Sequence, residues 1–176
     1  MSFQFALLDD DMRRRMRDEL DDDVQNSRLY LSPRLSVEGR RLFEGLLRLS
    51  IERHHPDWLA AELVAKNCLV GVEERRLANG RTISAKVPIT AAQTLAESEF
   101  NRLYARGVCL TAIERAVRVR ICRAKQVVAP RAESEIEIGT IYDPTSVLFD
   151  IRASTGLEAG LGLHLAPNSG LTIELT

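Results

Sequence analysis

The chain has 176 residues and a formal net charge of −1, which suits one domain, or one domain with arms, and allows a core of useful size. A 5% aromatic content with one tryptophan, Trp58, argues against a stacking platform for single-stranded bases, and a pI near 6.3 lies below the bias of a dedicated nucleic-acid domain. Cys68, Cys109 and Cys122 are an odd set with no short spacing, which argues against a disulfide framework or a zinc knuckle and for a reducing, cytoplasmic compartment at synthesis.

Residues 3–8 alternate Phe3, Phe5 and Leu7 and predict a short strand or arm, too short for a signal peptide or a membrane span. Asp9, Asp10 and Asp11 follow, and aspartate suits a helix N-terminus, where free N–H groups favour negative charge. Met12, Met16, Leu20 and Val24 recur every four residues and predict a helix over about 11–25. Its apolar stripe is one residue wide, narrower than an ordinary core-facing helix presents, so it should lie in a groove on its own body or on a neighbour. Asp21, Asp22 and Asp23 fall at its C-terminal end, where the helix dipole disfavours them and a basic partner would relieve the conflict.

Residues 28–35 predict a short extended segment that breaks at Pro33. Ser36 caps a helix over about 37–53, whose wide face of Leu42, Phe43, Leu46, Leu47 and Ile51 belongs to the core. Pro56 opens a shorter helix carrying Trp58, Leu59, Leu63 and Val64. Two alternating runs then flank Ala78-Asn79-Gly80, and Asn-Gly favours a tight hairpin turn because both residues tolerate positive φ. The polar tip, with Arg75, Arg76, Asn79, Gly80 and Arg81, predicts a hairpin that projects.

Thr90-Ala91-Ala92-Gln93 has the form of a capping box and opens the longest helix, about 91–116. Gly107 inside it allows a kink or a close helix crossing. From Val117 the period becomes two: Val119 and Ile121 alternate with Arg118, Arg120 and Cys122, predicting a strand with one buried and one basic face. Residues 133–142 predict a second strand. Asp143-Pro144 has N-cap and N1 character and starts a helix to about Ala153. Gly156, Gly160 and Gly162 mark a glycine-rich passage, Pro167-Asn168-Ser169-Gly170 a turn, and Leu171–Leu175 a closing strand.

The pattern predicts an α+β fold: a helix-rich N-terminal two-thirds with a projecting β-hairpin (about 68–87), one long helix (about 91–116), and a C-terminal, mainly antiparallel small sheet. Residues 1–27 are expected to form an arm with the acidic helix, and 28–176 a single α+β domain.

Chemical signals are weak. His54 and His55 are adjacent, so their imidazoles point apart rather than sharing a metal, and His164 is remote in sequence. Glu62 and Lys66 have the spacing of an ordinary helical ion pair. Cys109 sits among apolar neighbours, while arginines near Cys122 would lower its pKa. There is no G-x-x-x-x-G-K-[ST], G-x-G-x-x-G or G-x-S-x-G motif, so nucleotide hydrolysis and serine-hydrolase chemistry lack support. No catalytic residue, metal or cofactor is expected.

Charge is sorted along the chain. Six basic side chains (Arg115, Arg118, Arg120, Arg123, Lys125, Arg131) occur from 115 to 131 without an acid, and Asp9–Asp23 carries eight acids against four arginines. Such sorting implies a charged partner. The expected function is a non-enzymatic structural subunit that self-associates or docks on other protein subunits. The basic stretch would meet an acidic helix surface of Asp18, Asp21, Asp22 and Asp23 beside the stripe of Met12, Met16, Leu20 and Val24, head to tail, as in a shell or ring. A virus-particle head, neck or tail connector is one such setting. The alternative partner is nucleic acid, held by the basic stretch as a binding module or nuclease.

Overall fold

The computed structural model describes residues 2–130, 132–154 and 169–176. In chain order the elements are α1 (Asp10–Gln25), α2 (Val37–Arg53), α3 (Pro56–Ala65), β1 (Val72–Arg76), β2 (Thr82–Lys86), α4 (Ala91–Glu114), β3 (Val119–Arg123), α5 (Ala132–Glu137), β4 (Ile141–Tyr142), α6 (Pro144–Ala153) and β5 (Leu171–Leu175). The fold is α+β, with a helix-rich N-terminal part, a separate two-stranded hairpin, and an antiparallel three-stranded sheet in the order β4-β3-β5.

Local chemistry sets most boundaries. The Asp9 carboxylate accepts from Met12 N at 2.8 Å and caps α1. Ser36 does the same for α2 through Gly39 N at 3.0 Å, and Asp143 for α6 through Ser146 N at 2.9 Å. Each side chain satisfies an N–H that the first turn leaves without a partner. Pro56 and Pro144 occupy the first helical positions of α3 and α6, where a missing N–H costs nothing.

α4 is the axis of the molecule. At 24 residues it is about 36 Å long, and α1, α3 and α6 pack along it while β5 and β3 reach its flank. Phe100, Leu103, Tyr104, Val108 and Ala112 on α4 are buried with Met16, Leu20, Phe43, Leu47, Leu59 and Ile173 in one core. Gly107 is the crossing point of α1 and α4: a Cβ there would lie 2.5 Å from Met12 Sδ. The helices therefore approach as closely as the missing side chain allows.

Several local expectations are corrected. Thr90 has αR backbone and makes no side-chain cap bond; Gln93 instead donates to Asp57 of α3 at 2.7 Å and to Glu97, one turn along α4, at 2.6 Å, so the capping box does not form. Residues 3–8 form no strand. Phe5 packs on Phe100 and Tyr104 with centroids at 5.2 and 4.6 Å, and Gln4 N donates to Ala124 O at 2.9 Å. Residues 132–137 are the helix α5, and only Ile141 and Tyr142 pair with β3. Alternation alone did not distinguish a short helix from a strand there.

The hairpin turn is also longer than expected. Gly80 N donates to Leu77 O and Leu77 N to Arg81 O, and of the turn residues only Gly80 (φ +82°) has positive φ. Ala78 and Asn79 thus form a turn closed by a left-handed glycine, the three-residue solution rather than the two-residue one. The glycine-rich passage at Gly156, Gly160 and Gly162, and Pro167 and Asn168 of the expected turn, lie outside the described residues.

Candidate functional site

The apolar stripe of α1 is used inside the molecule. Met12, Met16 and Leu20 are buried and Val24 is partly buried against the same core. The groove expected for this narrow stripe is the surface of α4, and the three methionine and leucine side chains are not offered to a partner.

The acids of α1 are answered mainly by arginines of the same chain. Asp23 is fully buried (0% exposed) and accepts from Arg106 at 2.8 Å, with Arg102 at 3.2 Å and Arg28 at 3.4 Å. Glu19, also buried, is held by Arg152, with Arg106 at 3.6 Å. Asp22 pairs with Arg28, and Asp21 with Arg48 at 2.6 Å. These cations relieve the dipole conflict at the C-terminal end of α1. Asp18 alone of the four predicted acids is exposed, and among the described residues it has no ion-pair partner.

Sequence reading missed Arg102 and Arg106. Both lie on α4, which is buried around most of its circumference, so its polar positions Glu97, Glu99, Asn101, Arg102 and Arg106 are inside with the apolar ones. The signal available was Glu99, Arg102 and Arg106 at helical spacings of three and four on a helix whose apolar residues fall on every face. Burial pushes the Glu99 carboxyl above its ordinary range, opposed by Arg102 at 2.8 Å. Removing one member of such a buried network strands the remaining charges without compensation.

The basic stretch is partly neutralised as well. Arg120 bonds Glu174 at 2.7 Å across β3 and β5. Arg123 pairs with Glu135 and Lys125 with Glu97. Arg115 and Arg118 are exposed and, among the described residues, without an ion-pair partner; Arg131 lies outside the described residues. The acids of α1 and the basic strand are therefore two separate clusters, each with its own counter-charges.

The remaining chemical candidates take structural places. His54 stacks on Trp58 at 4.2 Å, and His55 is the N-cap residue of α3 without a side-chain cap bond. Among the described residues no three His, Cys, Asp or Glu side chains come together as a metal site would need, and His164 lies outside them. Glu62 and Lys66 form the ordinary pair at 3.3 Å.

All three thiols are free. Burial pushes Cys122 up from 9.0 to about 11 and outweighs Arg120, so the expected lowering by arginines is overturned. Burial likewise raises Cys109 from 9.0 to about 12 and Tyr104 from 10.0 to about 12. These groups keep their protons in the folded state while the unfolded chain would release them. Stability should therefore be unaffected by them below about pH 8 and fall as pH rises from about 9 toward 12. Urea unfolding across that range checks this; a flat or rising profile would contradict it.

The hairpin is the part of the molecule that its own core does not explain. β1 and β2 pair with each other from Val72↔Lys86 to Arg76↔Thr82, and no other described helix or strand makes more than slight contact with them. The ribbon is anchored at its base by Arg34, whose guanidinium meets Glu73 at 2.6 and 3.0 Å. Arg75, Arg76, Asn79, Gly80 and Arg81 are exposed. One face, with Val72, Glu74 and Arg76 opposite Lys86, Ser84 and Thr82, is open throughout.

Comparison of the chain with protein-family models, curated proteins and solved structures finds no match. No described helix is long and apolar enough to cross a membrane.

Proposed function

We propose that the chain is a non-enzymatic assembly subunit whose copies associate through the β1–β2 hairpin. The observation that carries this is the hairpin's isolation. A lone two-stranded ribbon is marginally stable in water, and its free edges invite pairing. Tied to the body at its base by the Arg34–Glu73 pair, it has the form of a contact element whose stabilising partner is another chain.

This moves the expected contact. Self-association through the acids of α1 and the basic strand would require side chains already paired inside the molecule, Asp23 above all. The same internal pairing of Arg120, Arg123 and Lys125 weakens the nucleic-acid alternative, because cations with protein counter-charges release fewer counterions on binding phosphate. A repeating particle such as a virus head, neck or tail connector is a setting in which a rigid body with one projecting ribbon is useful. Three reduced thiols fit synthesis in the cytoplasm.

The test is the mass of the full chain by light scattering, beside a variant in which residues 72–86 are replaced by a short Gly-Ser link. Val87 N donates to Gly71 O at 3.1 Å, so a short link can close the gap without disturbing the body. The full chain is expected as a discrete oligomer and the shortened one as a monomer of similar melting temperature. A monomeric full chain, or an oligomer that survives the deletion, would refute the proposal. So would salt-sensitive binding of labelled DNA that is lost on Arg115→Glu with Arg118→Glu.

A further inference from the structure

We infer that the hairpin's occupant is a second copy of the same hairpin, joined edge to edge through β1 about a two-fold axis at Arg75; this rests on the self-association proposed above. The backbone fixes which groups are on offer. Val87 N donates to Gly71 O and Leu77 N to Arg81 O, so the odd-numbered residues of β1 bond β2. Val72, Glu74 and Arg76 then direct their N–H and C=O groups outward.

That edge is open over a limited length. It is closed at Val70, whose N–H donates to Arg34 O at 2.9 Å, and it ends where the chain turns at Ala78. The open stretch between them, 71–77, is centred on Glu74. A closed pair of antiparallel strands in one sheet requires a two-fold axis perpendicular to the sheet, which sets a residue opposite itself. Glu74 on the axis would set two carboxylates opposite each other, so we place the axis one residue on, at Arg75, where opposite charges meet.

The side chains fit this register. Glu74 of each copy falls opposite Arg76 of the other on the open face, giving two acid–base pairs. Neither Glu74 nor Arg76 has an ion-pair partner in its own chain among the described residues, so the pairing uses charges that the monomer leaves over. Arg75 falls opposite Arg75, which is unfavourable. Each Arg75 is, however, bound to its own Glu73 at 3.0 Å and lies diagonal to Glu73 of the second copy. The outer edge of β2, with Thr82, Ser84 and Lys86, contains no acid and offers no such complement. The product is a four-stranded sheet in the order β2-β1-β1-β2, which gives both ribbons the neighbours they lack.

Charge reversal and cross-linking of the full chain test the register. Glu74→Arg or Arg76→Glu alone is expected to weaken dimerisation about tenfold or more, since both pairs become like-charged. The double variant, Glu74→Arg with Arg76→Glu, should restore it. In a Cys122→Ser background, Arg75→Cys should oxidise to a covalent dimer, because opposed residues in a non-hydrogen-bonded pair stand about 4.5 Å apart at Cα. Glu74→Cys, displaced from the axis, should not. An oligomer that depends on the hairpin but shows neither rescue nor the Arg75→Cys dimer overturns this inference and leaves the proposed function standing. A full chain that stays monomeric overturns both.

Discussion

Asp23→Ala is expected to remove about 3–5 kcal/mol of stability, a large share of the roughly 5–15 kcal/mol that holds a domain of this size together. The carboxylate is fully buried and is the shared acceptor of Arg106 at 2.8 Å and Arg102 at 3.2 Å. Without it Arg106, itself 0% exposed, keeps only the Ile151 carbonyl at 3.1 Å and Glu19 at 3.6 Å. Among the described residues its Nε already lacks a partner. A buried guanidinium short of counter-charge costs far more than the pair gained when it formed, because the desolvation was incurred for both ions and is now repaid to one. Asp23→Asn keeps an acceptor and removes the charge, and should fall between. Asp18→Ala on the exposed face of the same helix should stay within about 0.5 kcal/mol. Urea denaturation of the three variants orders them; a loss below about 1 kcal/mol for Asp23→Ala would mean that the network is dispensable.

Gly39→Ala is expected to cost on the order of 3 kcal/mol, at the upper end of overpacking, against a helix-propensity gain of about 1 kcal/mol. A Cβ at Gly39 would lie 2.0 Å from the Cys68 carbonyl oxygen and 2.8 Å from its carbon. That carbonyl cannot step aside. It accepts from Ser36 N at 2.8 Å, the Cys68 N–H donates to Leu63 O at 2.9 Å, and the neighbouring Leu69 is bridged to Leu35. At Gly107 the obstacle is Met12 Sδ, on a flexible side chain that can move; at Gly39 it is main chain. Gly45→Ala on the same helix meets nothing within 4 Å and should gain up to about 1 kcal/mol. Thermal melts of both variants compare them directly. Equal melting temperatures would mean that α2 slides freely over the 67–69 segment, contrary to the bonds that hold it.

The hairpin, the helix starts at Ser36, Pro56 and Asp143, and the closing strand at 171–175 were legible because each depends on signals within a few residues: a capping oxygen, a proline at N1, an Asn-Gly turn, a run of alternation. The stretch 132–137 was misread because six residues of mixed polarity carry too little period to distinguish helix from strand. Thr90 was misread for another reason. Its backbone is αR rather than extended, which does not suit a capping side chain, and Gln93 bonds Asp57 across the fold and Glu97 one turn along α4.

By itself the sequence determined the α+β class, the projecting ribbon and the narrow stripe of α1, since these follow from local stereochemistry and hydrophobic period. Only the tertiary structure decided what the charges do. Asp23 and Arg106 are 83 positions apart along the chain, and no periodicity relates them. They meet because Gly107 lets α1 settle onto α4, and a buried ion can persist only where packing supplies its opposite.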